Sequence, residues 1–115
     1  MREIEFYRTG LGKCPIEDFL DSLGDKQVEK ILWVLRIIRD IDIVPKEYFK
    51  KLISTDDLWE IRIKFGSNHY RILCFLYKGK TIVLTNGFGK KSQKVPLNEI
   101  KLAQERKKEY LERNK

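Results

Sequence analysis

Charged and apolar residues alternate along Glu3-Ile4-Glu5-Phe6-Tyr7, which predicts a first strand with one buried face. A loop follows over residues 9–13. Pro15 then opens a helix, at a turn where a missing N–H costs nothing. Ile16, Phe19, Leu20 and Leu23 recur at the spacing of one helical face. Gly24 predicts the stop of this helix and Asp25 the cap of the next. The second helix carries Val28, Ile31, Leu32, Leu35 and Ile38 as its buried stripe, broadened by Val34 and Ile37, and ends before Pro45. Residues 46–57 are polar and show no period.

Three strand signals come next. Over 58–65, Trp59, Ile61, Ile63 and Phe65 alternate with Glu60, Arg62 and Lys64. Gly66-Ser67-Asn68 reads as a hairpin turn, 69–77 as the following strand, Lys78-Gly79-Lys80 as a second turn, and the β-branched stretch 81–86 as a third strand. Residues 87–94 read as a basic loop. A last helix has Pro96 in its first turn and directs Ile100, Ala103, Tyr110 and Leu111 inward. The order β-α-α-β-β-β-α predicts an α+β fold: an antiparallel sheet of about four strands, helices packed on one face, a single domain over 1–115.

Helices on one face leave the other open. With Trp59, Ile61, Ile63, Ile72 and Cys74 turned to the helices, the period of two turns Glu60, Arg62, Lys64, His69, Arg71, Leu73 and Phe75 outward. Pairing of the two strands then crowds Arg62, Lys64 and Arg71 on one surface. Like charges held close are costly unless an anion joins them.

Charge strengthens that reading. The chain of 115 residues has a formal net charge of +7. Residues 1–55 balance, with ten Lys/Arg against ten Asp/Glu, whereas 56–115 hold fourteen against seven. Residues 61–98 contain eight Lys/Arg and no carboxylate, a one-signed stretch that attracts polyanions. The longest apolar run, 31–43, is broken by Arg36, Arg39, Asp40 and Asp42, so no membrane span is expected. The N-terminus lacks the apolar core of a signal peptide, which points to a cytoplasmic protein. Cys14 and Cys74 form no CxxC pair. Cys74 is expected as a buried thiol, and no metal site or cofactor is indicated.

Cleaving RNA without a metal requires in-line attack by a 2′-hydroxyl, stabilisation of the phosphorane, protonation of the leaving oxygen and ordered bases. Arg62 and Arg71 suit the second need, because the guanidinium fork matches phosphate oxygens. Lys90 and Lys91 either bind phosphate or form a solvated pair of loop charges, and Phe75, Phe88 or Tyr77 could stack on bases. His69 is the one histidine and reads first as a surface residue near a turn; Glu60 reads as a base or as a partner of Arg62. Gly87 and Gly89 either admit a ligand close to the backbone or form a turn.

Leu58-Trp59-Glu60-Ile61-Arg62, then Tyr70-Arg71-Ile72-Leu73, then Gly87-Phe88-Gly89-Lys90-Lys91-Ser92-Gln93-Lys94-Val95-Pro96 with Glu99-Ile100 and Ala103, resemble the phage-derived host-killing branch of the RelE/HigB toxin superfamily. The resemblance implies a RelE-like microbial RNase fold and a metal-independent, ribosome-dependent mRNA endoribonuclease that inhibits translation. It implies a cognate antitoxin, HigA-like with a helix-turn-helix, through which operator DNA could be bound. By position, Arg62, Arg71, Lys90 and Lys91 carry the catalytic role, with Lys64, His69, Phe88 and Lys94 contacting RNA. Better-studied relatives often place Tyr, or a His/Asp group, where this chain has Phe88 and Lys90-Lys91, and Phe cannot transfer a proton. Two other classes share the fold: a ParE-like toxin acting on a protein such as gyrase, and a non-catalytic RNA-binding module.

Overall fold

The alternation over 58–65 and the two turns after it fold the second half of the chain into an antiparallel unit of three strands. In the computed structural model, which describes residues 1–90 and 94–115 (Lys90 by its backbone), these are β3 (Leu58–Phe65), β4 (Asn68–Tyr77) and β5 (Thr81–Lys90). Phe65 pairs with Asn68, so the β3–β4 turn has two residues. Gly66 heads it at φ 61°, the positive value that the first position of such a turn demands. β5 runs to Lys90, so part of the expected basic loop is strand.

Two further strands complete the sheet in the order β1-β5-β4-β3-β2. β1 (Glu3–Phe6) pairs with β5 in parallel, Glu3 opposite Thr81 and Phe6 opposite Leu84. Arg2 secures it by donating to the carbonyls of Ile38, Ile41 and Asp42 at 2.8, 2.7 and 2.7 Å, at a helix end where unpaired carbonyls attract cations. β2 (Phe49–Lys51) lies within the stretch expected to be irregular and pairs antiparallel with β3. Its anchor is Phe49, stacked on Trp59 with centroids 4.6 Å apart. The sheet among the described residues is therefore five-stranded and mixed rather than four-stranded and antiparallel.

The helices divide between the two faces, which corrects the expected one-sided packing. α1 (Pro15–Asp21) and α2 (Asp25–Asp40) cover one face, where Ile16, Ile31, Val34 and Ile38 meet Ile61, Ile63, Ile72, Cys74, Ile82 and Leu84. Gly24, not Asp25, occupies the N-cap of α2, and Leu32 is exposed. α3 (Leu97–Arg113) lies on the other face, where Ala103 and Tyr110 join Leu58, Leu73, Phe75 and Val83 in a second core. Leu111 stays exposed. Cys14 and Cys74 are buried free thiols.

α3 is seated by a bulge. The register shifts between Leu73 and Cys74, pairing them with Asn86 and Leu84 and leaving Thr85 over. Arg106 Nη1 donates to the Thr85 carbonyl at 2.9 Å, and Asn86 Nδ2 donates to Glu99 Oε1 at 2.9 Å. Tyr7 donates to Glu109 Oε1 at 2.7 Å.

Burial, chiefly, holds the Tyr7 and Tyr110 phenols above the ordinary tyrosine pKa, reinforced by Glu109 and Glu5 respectively. A phenol raised by folding contributes stability that is complete below the unfolded pKa, about 10, and is lost as pH rises through the folded value. Urea midpoints are expected to fall above about pH 10, and Tyr110→Phe to flatten that fall. An unchanged slope in the variant would detach alkaline loss from this hydroxyl.

Candidate functional site

α3 covers only part of its face. Beyond its edge the three central strands present two rungs of polar side chains. In the first, Arg62 lies opposite Arg71 and Arg71 opposite Phe88; in the second, Lys64 lies opposite His69 and His69 opposite the backbone of Lys90. The alternation of β3 and the length of its turn set this register.

Two adjacent arginines are tolerated because Glu60, one step back on β3, sits between them. Arg71 Nε is 3.3 Å from Glu60 Oε2, and Arg62 Nε is 3.6 Å from Glu60 Oε1. Glu60 and Arg71 are 5% and 4% exposed, so this is a buried ion pair. It is held by charge rather than by hydrogen-bond geometry, since Glu60 Oε2 and Arg71 Nε have no hydrogen-bond partner. Arg71 Nη1 donates to the Tyr70 carbonyl at 3.0 Å. Burial lowers the Arg71 pKa, Glu60 opposes that, and Arg62 adds to it. A guanidinium nevertheless keeps its charge at neutral pH.

Arg62, Lys64, His69 and Arg71 open into a cleft of about 350 Å³ with Ile63, Lys30, Glu47 and Tyr48. The cleft exists because β2 stops short. Its last pairs reach residue 61 of β3, and Arg62 N then donates to the Tyr48 carbonyl at 2.8 Å. One buried carboxylate faces two guanidiniums, leaving positive charge beside an ordered strand edge. Such an arrangement can bind an oxyanion and stabilise charge that develops on it.

The structure thus brings together Arg62, Arg71, Lys64 and His69, and adds Glu60 as the buried counter-ion of the two arginines. His69 is exposed and lies near the turn end of β4, as the sequence places it. Phe88 neighbours Arg71 in register and packs partly against the second core. Lys94 lies elsewhere, on a separate cleft of about 520 Å³ with Lys50, Lys51, Ile53, Leu97 and the other side of Glu60. The Lys90 side chain and Lys91 lie outside the described residues. Two base-stacking candidates fall away: Phe75 is sealed in the second core, and Tyr77 packs on Tyr110 with its hydroxyl on the Asn114 carbonyl. Gly87 serves packing, since a Cβ there would meet Phe19 of α1 at 2.5 Å.

Sequence reasoning missed Lys30, Glu47 and Tyr48. One signal was available: Trp33, which meets Tyr48 edge-on, is an aromatic off the apolar stripe of α2. Among the described residues no group of three or more His, Cys, Asp or Glu is placed to hold a metal, and no helix is long and apolar enough to cross a membrane.

No curated protein matches the sequence. Residues 18–108, which run from α1 through most of α3 and include the whole cleft, match the family described as Phage derived protein Gp49-like (DUF891). The chain belongs to this Gp49-like family, a toxin-like family related to RelE and HigB.

Proposed function

We propose that this protein is the toxin of a toxin–antitoxin pair and cleaves mRNA on the translating ribosome. The observation that carries the reading is the Arg62–Arg71 pair, neutralised only in part by buried Glu60 and opening into a cationic cleft. The guanidiniums take the non-bridging oxygens of a phosphodiester. The neighbouring 2′-hydroxyl attacks phosphorus, the P–O5′ bond breaks, and a 2′,3′-cyclic phosphate and a 5′-hydroxyl result. The extra negative charge of the phosphorane falls between the two arginines, where fixed donors count most. Cation charge supplies this step without a metal. In this reading exposed His69 contacts the RNA at the cleft, and Lys90 and Lys91 carry the catalytic part that the sequence resemblance implies for them. The ribosome orders the mRNA, which compensates for a sparse acid–base set.

The family implies a cognate antitoxin. In this reading it is a HigA-like helix-turn-helix protein that also binds operator DNA, and the pair acts in the cytoplasm.

The test is induction in bacteria followed by mapping of mRNA 5′ ends, with Arg62→Ala as control. The Arg62 side chain is 31% exposed and Glu60 keeps Arg71 as its partner, so the variant is expected to fold, which a thermal melt checks. New ends in register with codons are expected, reduced on the order of 100-fold in the variant. Intact mRNA with continued growth would sink the toxin reading. Intact mRNA with arrested growth would move the target to a protein such as gyrase.

A further inference from the structure

We infer that Tyr48, backed by Trp33, is a stacking platform for an unpaired nucleobase at the rim of the cationic cleft. The inference rests on the reading of that cleft as a phosphodiester site. It assigns a base-binding role that the β3–β4 cations cannot fill, because phosphate contacts position a strand without holding its bases.

Position comes first. Tyr48 lines the cleft that contains Arg62, Lys64, His69 and Arg71. Its carbonyl accepts the Arg62 N–H at 2.8 Å, so ring and guanidinium belong to neighbouring backbone positions that cannot drift apart. A nucleotide whose phosphate sits on Arg62 carries its base within reach of an adjacent ring. The cleft volume of about 350 Å³ is within the range of small-ligand sites.

Rigidity comes second. The Trp33 and Tyr48 rings meet edge to face, with centroids 5.8 Å apart and planes at 82°. Tyr48 also packs against the first core. A ring fixed in this way loses little freedom when a base stacks on it. Trp33 is 41% exposed and carries Lys30 Nζ 4.2 Å above its ring, which brings a further cation to the same wall.

The remaining polar group fits the same division of labour. Glu47 precedes Tyr48 and also lines the cleft. A carboxylate there repels phosphate but accepts hydrogen bonds from the N–H edge of a base. Arg62, Arg71, Lys64 and His69 thus form the phosphate end of the cleft, with Tyr48 and Glu47 at its base end. Phe75 and Tyr77 are committed to packing around α3, and among the described residues Tyr48 is the aromatic one that lines the cleft.

The experiment compares two probes on the whole chain: a 2′-O-methylated hexa-adenylate, which has bases and resists cleavage, and inorganic polyphosphate, which has none. Tyr48→Leu is expected to weaken oligonucleotide binding about tenfold and leave polyphosphate binding unchanged. Tyr48→Phe should bind both as the parent does, and Arg62→Ala should weaken both. Thermal melts of the Leu and Phe variants establish that the fold is retained. If Tyr48→Leu binds the oligonucleotide like the parent, or loses both probes equally, the platform is overturned while the phosphate site stands. If the parent chain binds neither probe at low salt, the phosphate site itself falls and the platform with it.

Discussion

Arg71→Ala is expected to lower the unfolding free energy by about 3 kcal/mol, in the range found when one partner of a buried ion pair is removed. Arg71 is 4% exposed and Glu60 5%, so the truncation strands a carboxylate beneath the sheet surface. Arg62 does not replace the loss, because its Nε stands 3.6 Å from the other carboxylate oxygen and its side chain is partly in solvent. The Nη1 bond to the Tyr70 carbonyl goes as well. Arg71→Lys should fall between, since an ammonium keeps the charge but cannot reach Glu60 and the carbonyl together. Urea denaturation checks both, with lower midpoints at an unchanged slope. A midpoint for Arg71→Ala equal to that of the parent would show that the pair contributes nothing to the fold. One practical result follows: loss of toxicity in Arg71→Ala would not distinguish a missing catalytic group from a missing structural one, whereas loss in Arg62→Ala would.

Gly87→Ala is the second large effect, and it acts from the opposite face of the sheet. A Cβ at residue 87 would lie 2.5, 2.7 and 2.9 Å from Cδ2, Cε2 and Cγ of Phe19. Because Cγ is the root of the ring, rotation about the Cα–Cβ bond is the one escape, and it moves Phe19 off the first core. Overpacking of this kind costs roughly 2–3 kcal/mol, and the melting temperature should drop by roughly 10 °C. Gly89→Ala provides the contrast, since nothing lies within 4 Å of the added carbon, and it should melt close to the parent. Phe19→Leu combined with Gly87→Ala should recover part of the loss, because the two residues share one space. Additive losses would place the damage elsewhere.

The central strands were legible because each carries its own signal. Strict alternation on β3 and a short turn headed by Gly66 are enough to set Arg62 opposite Arg71, and with that half of the cleft. The second core was legible in part: Ile72-Leu73-Cys74-Phe75 is apolar at every position, the mark of a strand covered on both faces. Assigning Leu73 and Phe75 to an open face overlooked that signal. β2 was not legible, since Phe49-Lys50-Lys51 is too short to display a period and depends on Trp59 for its anchor. Nor was the parallel β1–β5 pair, whose partners lie far apart in the chain and carry no mutual mark. Glu60 was recognised as a partner of Arg62, but its burial against Arg71 as well depends on α3 closing over the same face. Tyr48 joined the site through the place where β2 ends, which is a property of the assembled edge.

The parallel pairing of β1 with β5 sets a timetable for the newborn chain. Glu3 has no sheet neighbour until Thr81 has been added, a separation of 78 residues. At synthesis rates of about 5–20 residues per second, β1 waits several seconds for its partner. Pairings of such long range also close slowly once both strands are present. The cleft is assembled from β3 and β4, but the strand that locks the sheet, and the helix that buries Glu60, come after it. A chain built in this order stays unfinished through most of its own translation, which gives a binding partner time to meet it before its arginines are set.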